Sequence, residues 1–239
     1  MLRFLGNDTM KKINLPSQEH TVCGERGAFM ASSVYDSDFY KDVETKVQDL
    51  INKYSKMLSS QTINSPRSIG DSLQDILSDE FQAILGDKCK DFSTSVTRRS
   101  LEDLKFTDTE GYTHWVDVKT HNLDTKFSMP NLISVKRLAE LYKEDSNYFA
   151  LLLIDYKVQQ GKLEVTKVMF FPIEFLSWES MSIGALGWGQ LQITDSNRVK
   201  ILDQNCREKW IGEFKTNVLR FYRNEMNKIG QRVTYFEAL

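Results

Sequence analysis

The chain has 239 residues, 31 Lys plus Arg against 33 Asp plus Glu, a formal charge of −2 and 41% hydrophobic residues. This composition excludes the low-hydrophobicity, high-charge signature of disorder. The near-neutral balance argues against a protein that coats nucleic acid through bulk charge, while leaving room for a local basic cleft. One large domain, or one with appended segments, is expected at this length, and it can bury roughly 70% of its unfolded surface.

Residues 1–35 have weak periodicity and carry no assignment. Over 38–57 the apolar residues Tyr40, Val43, Val47, Leu50 and Ile51 recur at three- and four-residue steps, which predicts a helix. Residues 59–68 read as a turn-rich linker. A second helix is predicted over 69–85, with Gly86 as its stop. The period then changes from 3.6 to 2: 103–107 and 112–120, joined by a polar turn, read as a β-hairpin. A helix over 131–144 follows, then an apolar strand over 148–156 of the kind covered on both faces. A further strand over 163–172, a short helix and the Gly-rich segment 184–194, ending as a strand, precede a long amphipathic helix over 207–228. This order implies a mixed α/β architecture around one sheet.

The cysteines Cys23, Cys89 and Cys206 are odd in number, far apart and without a CxxC pair, and the histidines do not bracket them at zinc spacing. Neither a structural disulfide nor a structural zinc is expected. No secretory leader or membrane-length apolar run is read, so a soluble, cytoplasmic protein with no membrane partner is expected. No GxGxxG or Walker loop appears, which argues against a nucleotide cofactor. No GxSxG elbow supports a hydrolase triad.

The hairpin carries the chemistry. Along 112–120 side chains alternate faces, so Trp115, Asp117 and Lys119 share one and Val116 and Val118 the other. An acid and an amine on a strand beside a buried valine face are expensive unless something uses them. Asp103 begins the partner strand. Two carboxylates brought together raise each other's pKa and call for a cation, and hard oxygen ligands suit Mg²⁺. An acid-x-Lys pair alone means little, because the chain has six. Asp155–Lys157 is the rival, since it also ends an apolar strand, but its nearest upstream acids, Glu144 and Asp145, end a helix instead of starting a paired strand.

Asp103-x13-Asp117-Val-Lys119, preceded by an acid-bearing helix, resembles the PD-(D/E)xK nuclease superfamily. The stretch VDVKTHN…MPNLISVKRLAELY followed by FALLLIDY further resembles type II restriction endonucleases of the EcoRV-like, HincII-like branch. The resemblance covers about 69–195 and is most specific over 116–138. Glu102 stands where the superfamily usually has Pro. The resemblance implies a restriction-endonuclease-like mixed sheet flanked by helices, with a nuclease core over 69–239 and an N-terminal arm over 1–68 for dimerisation or DNA contact.

It also implies Mg²⁺ held by Asp103, Asp117 and the Val118 carbonyl, with Lys119 orienting or deprotonating the attacking water. Asp71 and Asp75 share one face of the preceding helix, and Asp75 is chosen as the helix acid; a solvated helix face is the other reading. Residues 120–131 would lie beside the scissile phosphate. Thr120, His121, Asn122, Lys126 and Ser128 are candidate DNA contacts. Asn131 is a candidate base reader or else a helix N-cap. Gln190, with Gln192, is a candidate groove contact or else part of a wet strand face. Trp178, Trp188 and Trp210 read as core. Arg98, Arg99 and the basic residues of the last helix are candidate phosphate ridges.

The implied function is a Mg²⁺-dependent type II restriction enzyme cutting double-stranded DNA as a homodimer, because a two-fold dimer matches a palindrome. The alternatives are a structure-selective repair or mobile-element nuclease of the same fold, and a non-catalytic DNA-binding module.

Overall fold

The computed structural model describes residues 32–94, 102–202 and 205–239. The expected mixed α/β architecture is present: a five-stranded mixed sheet flanked by helices. Its strands are β1 (Cys89–Thr94), β2 (Leu104–Asp108), β3 (Thr113–Asn122), β5 (Asn147–Gln159) and β6 (Lys162–Pro172), in the order β1-β2-β3-β5-β6. Only β3 and β5 run parallel. A second sheet, not expected from the sequence, has the order β4-β8-β7, from β4 (Asn131–Ser134), β7 (Met181–Gly184) and β8 (Gln190–Ile193).

The central strand β5 lies between β3 and β6, and Tyr148 to Ile154 are all buried, as its unbroken apolar run requires. Helix α1 (Ser37–Ser55) buries Tyr40, Val43, Val47 and Ile51. It also shields the edge of β6: Gln48 and Asn52 donate to the Val165 carbonyl, and Glu44 accepts from the Phe170 N–H. An open strand edge is a pairing hazard, and α1 closes this one. Helix α3 (Pro66–Leu85) has Pro66 at its first turn, the Ser65 hydroxyl as its cap and Gly86 at φ 55° as its stop. Ile69, Leu73, Leu77 and Phe81 turn its apolar stripe to the core.

Four local readings change. The expected linker 59–68 contains α2 (Ser60–Ile63) and the start of α3. Strand β1 gave no period-2 apolar signal, because it is a half-exposed polar edge strand. The helix expected over 131–144 is split: Leu132 and Ile133 are both buried in β4, and Ser134 caps a shorter α4 (Val135–Leu141). The last helix, α5 (Arg207–Glu237), runs past residue 228. Cys89 is free, but Cys206 is disulfide-bonded, against the expectation of no disulfide. Among the described residues no helix is long and apolar enough to cross a membrane. Residues 1–31 of the expected N-terminal arm, and Arg98 and Arg99, lie outside the described residues.

Candidate active site

Strand β2 starts one residue after Asp103, whose N–H donates to the Val116 carbonyl. Strand β3 outruns β2 here: their pairing ends at Leu104 with Val116, so residues 117–122 extend beyond it. The Asp103 side chain fills the first of the vacated positions. Its Oδ2 accepts the Val118 N–H at 2.7 Å, and its Oδ1 accepts Gln74 Nε2 of α3 at 2.7 Å. A strand residue's N–H and C=O leave on the same side, so the Val118 carbonyl also faces the Asp103 edge.

Asp117 and Lys119 share the opposite strand face, and Lys119 Nζ donates to Asp117 Oδ1 at 2.6 Å. The other oxygen, Asp117 Oδ2, is buried with no hydrogen-bond partner in the protein. Burial drives the Asp117 carboxyl up to about 7; Lys119 opposes this and the charge of Asp103 adds to it. Asp103, Asp117, Val118 and Lys119 are therefore brought together. The α3 side chain that touches the pair is Gln74, whereas Asp75 and Asp71 are exposed. No sequence pattern singled out Gln74, because an amide one residue before an acid on an amphipathic helix gives no chemical signal.

The rival pair is differently engaged. Asp155 stands opposite His121 in the parallel register, and His121 Nδ1 lies 3.1 Å from Asp155 Oδ1. His121 is thereby buried, not displayed beside a phosphate. Thr120 is half-buried with its hydroxyl against Gly70 of α3, and Asn122 accepts the Asp124 N–H in a turn. Lys126 is exposed, and the Ser128 carbonyl takes the Ser196 N–H, tying this segment to the 195–198 loop. Asn131 is not a helix cap: it is exposed in β4, and its Oδ1 accepts Gln192 Nε2 at 2.6 Å. Gln190 pairs across from Ser134 and is half-buried.

Two residues along β3 from Asp117, on the same face, Trp115 opens a cleft of about 800 Å³. Its walls include Lys136 and Arg137 of α4, Gln190, and the tight turn bearing Leu186 and Trp188. Trp188 is 62% exposed, with Lys136 over its ring at 5.1 Å, so it is a surface residue and not core. Gly187 and Gly189, both at positive φ, make the turn that presents it. Trp210 is buried, and half-buried Trp178 stacks on it with their centroids 5.2 Å apart. Lys105 lies 4.0 Å over the Trp115 ring.

The donor set suits a hard cation. Among the described residues no group of three His, Cys, Asp or Glu side chains is gathered as a metal site. Mg²⁺ does not need one, since it keeps several waters and is commonly held by one or two carboxylates. The buried, unpartnered Asp117 Oδ2 beside a second carboxylate is the feature a cation would satisfy.

No family model matches the sequence, and no curated protein matches it. Among solved structures the chain is similar to the NlaIV restriction endonuclease, with a TM-score of 0.43 and 11% identity. The match covers 64% of this chain, which spans about 65% of the length of that one.

Proposed function

We propose that the chain is a Mg²⁺-dependent, sequence-specific endonuclease that hydrolyses phosphodiester bonds of double-stranded DNA as a homodimer. The observation that carries this reading is the buried Asp117 carboxylate, held on one oxygen by Lys119, unpartnered on the other, and set beside Asp103. The resemblance over residues 116–138 supports the choice of DNA as substrate and of a restriction enzyme, acting in a bacterial cytoplasm, as the class.

In this reading Asp103, Asp117 and the Val118 carbonyl would hold Mg²⁺, which would supply Lewis-acid charge beside the attacked phosphate. Gln74 and the Val118 N–H fix the Asp103 carboxylate, so that its remaining lone pairs are aimed in advance. Lys119, partly open to solvent, would orient the attacking water with its ammonium. The cleft from Trp115 to Trp188 receives the duplex: Lys136, Arg137 and Lys126 meet phosphates, and Asn131, Gln190 and Gln192 offer amides to base edges.

The test is incubation of the purified protein with plasmid and phage DNA, with Mg²⁺ and with chelator. Discrete, reproducible fragments that require Mg²⁺ are expected, and mapping their ends gives the site. No fragments across several substrates would sink the proposal. Cutting confined to branched or mismatched DNA would turn it to a structure-selective nuclease, and a specific duplex shift without cutting to a binding module.

A further inference from the structure

Beyond Tyr222, helix α5 leaves the body. Met226, Ile229, Val233 and Phe236 are 50–70% exposed, and Leu219 is 44% exposed. With half-buried Tyr222 they fall at 219, 222, 226, 229, 233 and 236, steps of three, four, three, four and three. This is the heptad seam by which one helix packs against another. The body does not account for the seam. Tyr222 is anchored, its hydroxyl donating to the Trp188 carbonyl at 2.6 Å, but the 15 residues that follow, roughly 22 Å of helix, carry their apolar side outward. Nor does local propensity account for the helix, since Gly230, Val233, Thr234, Tyr235 and Phe236 are weak helix formers and most helical stability comes from packing.

We propose that a second copy of this chain covers the seam, the two α5 helices packing antiparallel about a two-fold axis between Asn227 and Lys228. The partner is taken from the homodimer of the proposed function; the surface rests on α5 alone. In that register Met226 stacks on Ile229 of the other copy, Tyr222 on Val233 and Leu219 on Phe236. Glu225 and Arg232 flank the seam on one side. The two-fold axis sets Glu225 of each copy against Arg232 of the other, giving two opposite-sign pairs. Among the described residues Glu225 pairs with its neighbour Lys228, and Arg232 is exposed. A parallel, in-register pair would instead crowd both Trp188 turns, each fixed to its own Tyr222, at one end.

Sedimentation equilibrium of the full chain tests this. The native protein should be dimeric, and Met226→Glu with Ile229→Glu should give a monomer with an unchanged melting curve for the body, since both positions are exposed. Arg232→Glu should weaken the dimer at least tenfold, and adding Glu225→Arg should restore it. A dimer that survives the double glutamate variant overturns this surface and leaves the homodimer standing. A native protein that is monomeric at every concentration overturns both. Failure of Glu225→Arg to rescue overturns the antiparallel register.

Discussion

The Asp103 carboxylate accepts the backbone N–H of Val118, the residue between Asp117 and Lys119, at 2.7 Å. One bond thus ties the acid before β2 to the middle of the acid-x-Lys run on β3, where the ladder between the two strands has ended. It fixes the spacing of Asp103 and Asp117 through backbone, so neither side chain has to find the other. It also leaves Asp117 under electrostatic stress, being buried, facing a like charge and hydrogen-bonded on one oxygen only.

Replacing Asp117 with Asn should therefore abolish Mg²⁺-dependent cleavage and at the same time stabilise the fold. In the folded chain the carboxyl titrates near 7, against 3.8 for an ordinary aspartate. Between those values the folded chain binds more protons than the unfolded one, so its stability falls as pH rises, and above about 7 the whole penalty is present. The gain should be a few kcal/mol at pH 8, read as a higher Tm, and should vanish near pH 4. Thermal melts of both proteins at the two pH values check this. A variant that melts no higher at pH 8 would refute the electrostatic account.

Gln74 gives a separate handle, because it touches Asp103 without belonging to the acid pair. Gln74→Ala should weaken apparent Mg²⁺ affinity by about 10–100-fold, as loss of a ligand-orienting partner commonly does. Rate at saturating Mg²⁺ should recover most of the native value. A lower rate ceiling with unchanged Mg²⁺ dependence would instead place Gln74 in the reaction step.

How far the sequence reveals this site follows from where the signals arise. The hairpin is legible because alternation and a polar turn are local, and it is enough to pair Asp103 with Asp117. Helix α3 is legible through its apolar stripe, but which of its polar residues reaches the hairpin depends on how the helix is rotated on the sheet. That rotation brings Gln74 inward and leaves Asp75 exposed. Strand β4 is hidden for a related reason: NLIS has buried Leu132 and Ile133 side by side, which reads as one turn of helix until β8 supplies a pairing edge. Trp188 is misread because an indole in a Gly-rich segment looks like filler for a core, and only the fold shows it at a cleft rim.

The second acid-x-Lys pair can be separated from the first by mutation. Asp155 is engaged with buried His121, so Asp155→Ala should retain cleavage to within about threefold while lowering stability by roughly 1–3 kcal/mol through the partner left unpaired. Kinetics and urea unfolding on one preparation give both readings. Loss of cleavage in a variant that still melts cooperatively would move the catalytic site to Asp155 and Lys157.

Acid also acts on a buried network built on β2 and β3. Asp108 accepts from the Ser32 hydroxyl at 2.6 Å, from the N–H groups of Glu110 and Tyr112, and from His114 Nε2 at 2.9 Å, while Tyr35 donates its hydroxyl to His114 Nδ1 at 2.8 Å. The imidazole is stacked between Phe106 and Tyr148 and is fully buried, so the network holds it neutral. Burial works to raise the Asp108 carboxyl, but its hydrogen bonds prevail and keep it at about 2. Burial also lowers the pKa of His114, against the pull of Asp108. Both folded values lie below the unfolded ones, so in both windows the unfolded chain binds more protons and stability is lost as pH falls. The His114 contribution is present above about 6.5 and is lost below it. That of Asp108, about 2 kcal/mol, is lost from about 3.8 down towards 2. Urea unfolding across this range should show both losses, and Asp108→Asn should start less stable at pH 7 and lack the lower one. An equal loss below pH 3.8 in that variant would assign the acid sensitivity to other carboxylates.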